Sequence, residues 1–128
     1  MTRMTTRAVL IVAAFAAAVS VSVTATPASA QALPTCTHKY QYLPATSSGS
    51  WSCVLSTGNQ GNGVRALQES LRGCYQRNIA IDGAFGPATR QALLQVQNSV
   101  GAATDGIYGP ETRRKMKWLT ASGCSYRS

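Results

Sequence analysis

Apolar residues recur with helical spacing in the second half of the chain. Val64, Leu67 and Leu71 stand at positions i, i+3 and i+7, which places them on one face of a helix. Asn62 occupies the expected N-cap position, and Gly73 stands where the apolar pattern stops. The pattern therefore predicts a helix that begins after Asn62 and ends near Gly73.

Two further helices are predicted downstream. One runs from about Pro87 to Ser99 with Gly101 as its C-cap, and the next runs from Pro110 to about Thr120. The inner side of the middle helix carries four apolar residues, Ala92, Leu93, Val96 and Val100. Met116 and Leu119 are the expected core contacts of the last helix. Three short helices joined by ordered loops indicate an all-α protein, a compact three-helix bundle.

The loops before the second and third helices are two copies of one ten-residue segment, residues 81–90 and 104–113. Six of the ten positions are identical, and the copies are offset by 23 residues. In each copy an Asp-Gly pair predicts a tight turn, because glycine takes positive φ without steric cost. An aromatic residue, Phe85 or Tyr108, is expected to point inward before Gly-Pro begins the helix. The repeat predicts two equivalent loop–helix units.

Residues 1–30 have the pattern of a secretory signal peptide. Two arginines precede an apolar run at residues 8–19, and Ala28-Ser29-Ala30 provides an A-x-A cleavage site. A membrane anchor is the alternative, but Ser, Thr and Pro27 break up the second half of the apolar stretch. We expect cleavage after Ala30 and a secreted protein without stable membrane insertion.

The mature chain is expected to consist of an N-terminal extension, residues 31–54, and one domain, residues 55–128. In the extension, residues 39–44 alternate well enough to predict a short extended segment. Trp51 is expected to pack over the neighbouring core. Stacking of the extension's tyrosines and tryptophan on carbohydrate is the alternative interpretation.

All four cysteines, Cys36, Cys53, Cys74 and Cys124, lie in the mature chain. An even number of cysteines in a small exported domain indicates disulfides. A zinc site would need closely spaced ligands, which these cysteines and the single histidine, His38, do not provide. Three pairings are possible. We favour Cys36–Cys53, which would close the extension, together with Cys74–Cys124, which would clamp the end of the first helix to the C-terminus.

The mature chain is strongly basic. It carries ten Lys or Arg residues against four Asp or Glu residues, a net charge of +6. This excess favours anionic partners. For an exported protein these are lipid surfaces or acidic polymers of the cell envelope, and we expect no nucleic acid partner.

Three motifs within residues 55–119 resemble the peptidoglycan-binding type 1 domain. They read Leu55-x-x-Gly58-x-x-Gly61-x-x-Val64-x-x-Leu67-Gln68-x-x-Leu71, then Asp82-Gly83-x-Phe85-Gly86-x-x-Thr89-x-x-Ala92-Leu93-x-x-Val96-Gln97, then Asp105-Gly106-x-Tyr108-Gly109-Pro110-x-Thr112. The resemblance covers about two-thirds of the mature chain and implies a compact three-helix module that holds hydrolases on bacterial peptidoglycan. The chain departs from the family at Val96, where Phe is common, and in the Cys74–Cys124 clamp.

The resemblance also implies a ligand groove beside the Asp-Gly loops. Carried over to this chain, it implies the following ligand-binding residues in and beside the second loop: Asp105, Gly106, Ile107, Tyr108, Gln97 and Arg113. For some of these a structural role is the alternative. Phe85 and Tyr108 can be loop anchors, and Gln68 and Gln97 can satisfy backbone groups of the loops.

The sequence offers little for catalysis. Asp82 and Asp105 are the only pair of carboxylates that could flank a sugar bond, but an Asp before Gly already stabilises a turn. With one histidine and four paired cysteines, we expect no catalytic residues, metal or cofactor. We also expect a monomer.

The resulting hypothesis is a secreted, non-catalytic module that binds peptidoglycan through its glycan strand or stem peptide. The first alternative is a secreted inhibitor or partner of a cell-wall hydrolase, which would use the same fold. A small cell-wall hydrolase and a cationic protein that binds envelope polymers by charge alone are the others.

Overall fold

The structure, a computed structural model, describes residues 32–128, so the predicted signal peptide at residues 1–30 lies outside the described residues. In chain order the elements are β1 (His38–Tyr40), β2 (Leu43–Ala45), α1 (Asn62–Tyr75), α2 (Pro87–Val100), α3 (Pro110–Lys115), β3 (Lys117–Thr120) and β4 (Gly123–Tyr126). None of the helices in this described part is long and apolar enough to cross a membrane.

The described chain is mixed α and β, so the predicted all-α class is wrong. Strand β1 pairs with β2, and β3 pairs with β4, each pair forming a two-stranded antiparallel sheet. Both hairpins pack against α1, which also contacts α2. The core is therefore built around α1 by helices and hairpins together, with Leu67, Leu71, Leu93 and Trp118 among its fully buried side chains.

Helix α1 buries the face that the sequence predicts. Val64, Leu67 and Leu71 are each fully buried. Its start differs from the prediction, because the N-cap is Gly61 and no side chain caps the helix. Gly61 has φ of 119°, which favours glycine, and its N–H donates to the carbonyl of Gly83 in the first loop at 2.9 Å. The loop therefore determines where the helix begins.

The C-terminal end of α1 lies two residues beyond the predicted end. Gly73 remains helical, and the helix ends at Tyr75, followed by the C-cap Gln76, whose φ of 55° is left-handed. A Cβ at Gly73 would lie 2.8 Å from a methyl carbon of Leu119. Glycine at this position thus allows the β3–β4 hairpin to approach α1 closely instead of ending the helix.

The third helix is shorter than predicted. It ends at Lys115, and Met116 has extended backbone (φ −101°, ψ 157°) that leads into β3. Met116 and Trp118 are both fully buried, whereas Leu119, an expected core contact, is 36% exposed. This alternation is the period of a strand and not of a helix.

Helix α1 supplies hydrogen-bond acceptors for the backbone of β3. The N–H of Lys117 donates to the hydroxyl of Tyr75 at 2.6 Å, and the N–H of Leu119 donates to Oγ of Ser70 at 3.0 Å. A strand with one paired edge needs such partners for its other edge. Both acceptors are more than 40 residues away in sequence.

The disulfide prediction is confirmed. Cys36 is bonded to Cys53, and Cys74 is bonded to Cys124. The first bond closes the extension around β1 and β2, and the second joins the last turn of α1 to β4.

Candidate functional site

The two copies of the repeated segment form loops that are each held by one buried glutamine. In the first loop the glutamine is Gln68 of α1. Its Nε2 donates to Oδ1 of Asp82, the carbonyl of Ala84 and Oγ1 of Thr89, each at 3.0 Å. Its Oε1 accepts the N–H of Gly83 at 2.8 Å. One amide side chain thus joins both ends of the loop.

The second loop repeats this arrangement around Gln97 of α2. Nε2 donates to Oδ1 of Asp105 at 3.1 Å, the carbonyl of Ile107 at 2.9 Å and Oγ1 of Thr112 at 3.1 Å. Oε1 accepts the N–H of Gly106 at 2.9 Å. Because both polar atoms are bonded and the side chain is fully buried, Gln97 supports the loop instead of facing solvent.

The loop aspartates stabilise the turns. Oδ1 of Asp82 accepts the N–H of Ala84 at 3.0 Å, and Oδ1 of Asp105 accepts the N–H of Ile107 at 2.9 Å. The bond from Ala84, followed by that from Gln68, lowers the pKa of Asp82. A general acid needs the opposite shift. Within residues 32–128, no group of three His, Cys, Asp or Glu residues is placed to hold a metal ion.

The remaining predicted ligand-binding residues lie in different environments. Asp105 is exposed and Ile107 is 46% exposed, so both can be reached from solvent. Gly106 is buried, and a Cβ there would lie 2.9 Å from Nε of Arg90. Tyr108 is fully buried, with its ring edge-on to Trp118 at 5.6 Å between centroids. This burial favours the alternative role of Tyr108 as a loop anchor, and its role in ligand binding stays a prediction.

The side chain of Arg113 contacts the N-terminal extension and the C-terminal segment. Its guanidinium is 5.5 Å from the ring centroid of Trp51, and Nη1 donates to the carbonyl of Arg127 at 3.3 Å. It therefore joins the third helix to the extension and to the C-terminal segment. The structure does not bring it together with Asp105 and Ile107 in one described cleft.

A groove of about 290 Å³ lies between the end of α1 and the outer side of α2, and we call it the amide-lined groove. Its lining consists of Gln76, Arg77, Asn78, Ile79, Ala88, Gln91, Ala92 and Gln95. Four of these eight side chains are carboxamides, and three others form an apolar floor. A smaller cleft of about 110 Å³ adjoins it, shares Ile79 and Ala88, and reaches the first loop at Asp82 and Ala84.

Arg77 is the one charged residue of the amide-lined groove. Its Nη1 donates to Oε1 of Gln95 at 2.7 Å, which ties the segment after α1 to α2. Its Nε is buried and has no hydrogen-bond partner within residues 32–128. Carboxamides, one guanidinium and an apolar floor suit a ligand rich in amides or acetamido groups and bearing a carboxylate.

The sequence pattern did not predict the amide-lined groove. Its polar residues, Gln76, Asn78, Gln91 and Gln95, lie outside the apolar pattern and outside the repeat. Their only common signal is their type, since Gln91 and Gln95 lie on the polar side of the predicted second helix and Gln76 and Asn78 lie just after the predicted first helix. That signal does not show that the two sets face each other.

Comparison with known proteins shows one matching family. Residues 60–116 match the family model described as "Putative peptidoglycan binding domain". The chain is 38% identical over 78 residues to the zinc D-Ala-D-Ala carboxypeptidase of Streptomyces albus G, covering 59% of this chain and 31% of that enzyme. It therefore spans about a third of the length of that relative.

Two solved structures are also similar in sequence. One is a peptidoglycan-binding protein from Clostridioides difficile, at 38% identity over 49% of this chain and 39% of that chain, with a TM-score of 0.47. The other is the SleB N-terminal domain, at 33% identity over 48% of this chain and 85% of that domain, with a TM-score of 0.45.

Proposed function

Residues 60–116 belong to the family of peptidoglycan-binding domains, and from this premise we propose that the protein holds peptidoglycan in the amide-lined groove without cleaving it. The observation that carries the proposal is the composition of the groove, which lies wholly within the matched residues. Peptidoglycan presents peptide amides, acetamido groups and carboxylates. Carboxamide side chains can donate hydrogen bonds to, and accept them from, the peptide amides and acetamido groups, and Arg77 can pair with a carboxylate.

Two observations support binding without cleavage. The family match covers a binding module, and the matched relative is an enzyme of which this chain spans only 31%. The loop aspartates, the one pair of carboxylates that the sequence suggests for glycan cleavage, are both engaged in turns. A partnership with a cell-wall hydrolase, as inhibitor or accessory subunit, is the alternative function.

Secretion is part of the proposal. The pattern of residues 1–30 supports it, as do the two disulfides, because such bonds persist in oxidising compartments. The basic character of the mature chain suits an anionic envelope.

Binding of the purified protein to insoluble peptidoglycan tests the proposal. The variant Asn78→Ala/Gln91→Ala removes two exposed carboxamides of the groove. If each makes one net hydrogen bond worth about 0.5–1.5 kcal/mol, the dissociation constant should rise at least about fivefold. Asn98→Ala is the matched control, because Asn98 is an exposed carboxamide of α2 that lies outside the groove. Unchanged affinity of the double variant would contradict the assignment of the groove.

Two further arms separate the alternatives. Asp105→Ala/Ile107→Ala tests the second loop, and loss of binding in this variant alone would place the site there. A salt series to about 1 M, where the Debye length is about 3 Å, would abolish binding that rests on charge alone. Release of soluble sugar or peptide fragments during incubation would contradict binding without cleavage.

A further inference from the structure

A second cleft lies outside the matched family domain, between the turn of the β1–β2 hairpin and the C-terminal segment. We call it the hairpin cleft. It has a volume of about 180 Å³ and is lined by Gln41, Leu43, Trp51, Tyr126, Arg127 and Ser128. None of these residues falls within residues 60–116. The N-terminal extension and the C-terminal segment thus build this cleft, and the matched domain contributes none of its lining residues.

Gln41 lines the hairpin cleft and has a backbone conformation that is unfavourable for its residue type. Gln41 and Tyr42 form the two-residue turn between β1 and β2, and both have positive φ, at 48° and 73°. Turns of this kind usually contain Asn or Gly, because other side chains strain the left-handed region. Strained positions of this type cluster at ligand sites, where the surrounding structure holds them. Here β2 is fully buried against α1 and the extension is closed by Cys36–Cys53.

One positively charged side chain lies near each of the two aromatic rings of the hairpin cleft. The guanidinium of Arg113 is 5.5 Å from the ring centroid of Trp51, and Nζ of Lys117 is 5.6 Å from that of Tyr126. Arg127 lines the cleft itself, and no Asp or Glu is among the lining residues. Nε of Arg113 is buried and has no partner in the part of the chain that the structure describes.

From these observations we propose that the hairpin cleft binds one sugar ring that carries a carboxylate. The cleft is smaller than the ~300–1,000 Å³ of typical drug-sized sites, so it suits a single ring and not a polymer segment. Tyr126, whose side chain is 63% exposed, can place its ring against the C–H face of a sugar, and Gln41 provides an amide for the sugar's hydroxyl or acetamido groups. Arg127 can pair with the carboxylate. The choice of a cell-wall sugar rests on the proposed function, whereas the cleft lies outside the matched domain.

Titration with two sugars, followed by NMR, tests this proposal. The probes are N-acetylmuramic acid and N-acetylglucosamine, which differ by a lactyl ether that carries a carboxylate. The chain has two tryptophans, and the fully buried Trp118 serves as an internal reference for Trp51. We expect the indole signal of Trp51 and the backbone signals of Gln41 and Arg127 to shift, with an affinity about tenfold higher for the acidic sugar.

Variants test which residue binds the carboxylate of the sugar. In Arg127→Gln the ratio of the two affinities should fall from about tenfold to about one. Arg114→Gln is the matched control, because Arg114 is an exposed arginine of α3 that lines none of the described clefts, and it should leave the ratio unchanged. Equal affinity for both sugars, or no shift of the cleft signals with either, would overturn the proposal. So would an acetylated dipeptide that shifts the same signals as strongly as the acidic sugar.

Failure of this proposal can be told apart from failure of the proposed function. If the parent protein binds N-acetylmuramic acid but not insoluble peptidoglycan, the proposed function is wrong and the cleft remains a sugar site. If Arg127→Gln binds peptidoglycan like the parent and neither sugar shifts the cleft signals in the parent, the hairpin cleft is wrong and the proposed function stands.

Discussion

Tyr108 occupies, in the second loop, the position that Phe85 occupies in the first. Both rings are buried, with 0% and 2% of their surface exposed. Burial raises the pKa of Tyr108, although the nearby charge of Arg113 opposes the shift. Within residues 32–128 its hydroxyl has no hydrogen-bond partner. The ring is thus a loop anchor like Phe85, and the hydroxyl is a polar group buried without compensation.

Tyr108→Phe should therefore stabilise the protein. A buried polar group without a partner costs about 1–3 kcal/mol, so we expect the free energy of unfolding to rise by about 1 kcal/mol. Urea denaturation of the variant and the parent measures this change in the free energy of unfolding. Tyr40→Phe serves as the control, because Tyr40 is 49% exposed and its hydroxyl can be solvated. A fall in stability of the Tyr108 variant would show that the hydroxyl has a favourable interaction.

The β3–β4 hairpin depends on α1 for its position. Besides the bonds to Ser70 and Tyr75, it is joined to α1 by Cys74–Cys124, which links residues 50 positions apart. In the chain-entropy model, a bond closing a loop of this length contributes about 4 kcal/mol. The hairpin carries Trp118, the largest fully buried side chain, so its attachment also closes the core.

Cys74→Ala/Cys124→Ala should loosen the hairpin before the rest of the fold. We expect a loss of up to about 4 kcal/mol in the free energy of unfolding, and faster hydrogen exchange at Lys117 and Leu119 than at the middle of α2. Cys36→Ala/Cys53→Ala is the comparison. Because Cys74–Cys124 is intact in this variant, Lys117 and Leu119 of the β3–β4 hairpin should still exchange slowly for the global stability that the variant has. Equal acceleration throughout the molecule in the first variant would mean that the hairpin does not open separately.

At the scale of the whole molecule, the balance of charge makes the protein sensitive to acid. Residues 31–128 carry ten bases and four acids, so protonation of the carboxylates takes the net charge from +6 towards +10 and increases self-repulsion. Asp82 and Glu111 have lowered pKa values in the folded state, Asp82 through its loop bonds and Glu111 chiefly through Lys115. A lowered folded-state pKa contributes stability above the unfolded-state pKa, and this stability is lost as the pH falls through the folded-state value.

The urea midpoint should accordingly fall as the pH is lowered below about 4, near the ordinary pKa of Asp. Asp82→Asn removes one of these titrations, that of the carboxylate bonded to Ala84 and Gln68 in the first loop. We expect this variant to show a shallower fall than the parent over the same pH range. If both curves have the same slope, the bonds to Asp82 do not contribute to the pH dependence.

Local pattern alone predicted several parts of the molecule. The spacing of Val64, Leu67 and Leu71 predicted the buried face of α1, and the Gly-Pro steps predicted where α2 and α3 begin. These features depend on contacts within a few residues or on one side of one helix, which sequence periodicity records. The cysteine pairing followed from the same layout. The signal peptide and the absence of catalysis remain predictions.

Local pattern predicted a helix where β3 lies, and it did not predict the amide-lined groove or the hairpin cleft. Residues 110–117 are rich in Lys and Arg and begin with Pro, which favours a helix, and four residues of alternation cannot outweigh that. Only the tertiary structure brings Ser70, Tyr75 and Gly73 of α1 to the edge of β3 and makes the strand favourable.

The candidate sites show the same division. The sequence by itself determined that Gln68 and Gln97 stand at matching distances before two Asp-Gly loops, since the repeat encodes their spacing. Only the tertiary structure decided that Gln97 and Tyr108 are buried while Gln91 and Asn78 line a groove. The reason is physical. Whether a polar residue of α2, or of the segment after α1, lines a cleft depends on how α1 and α2 cross, and that crossing is set by long-range packing of the whole core.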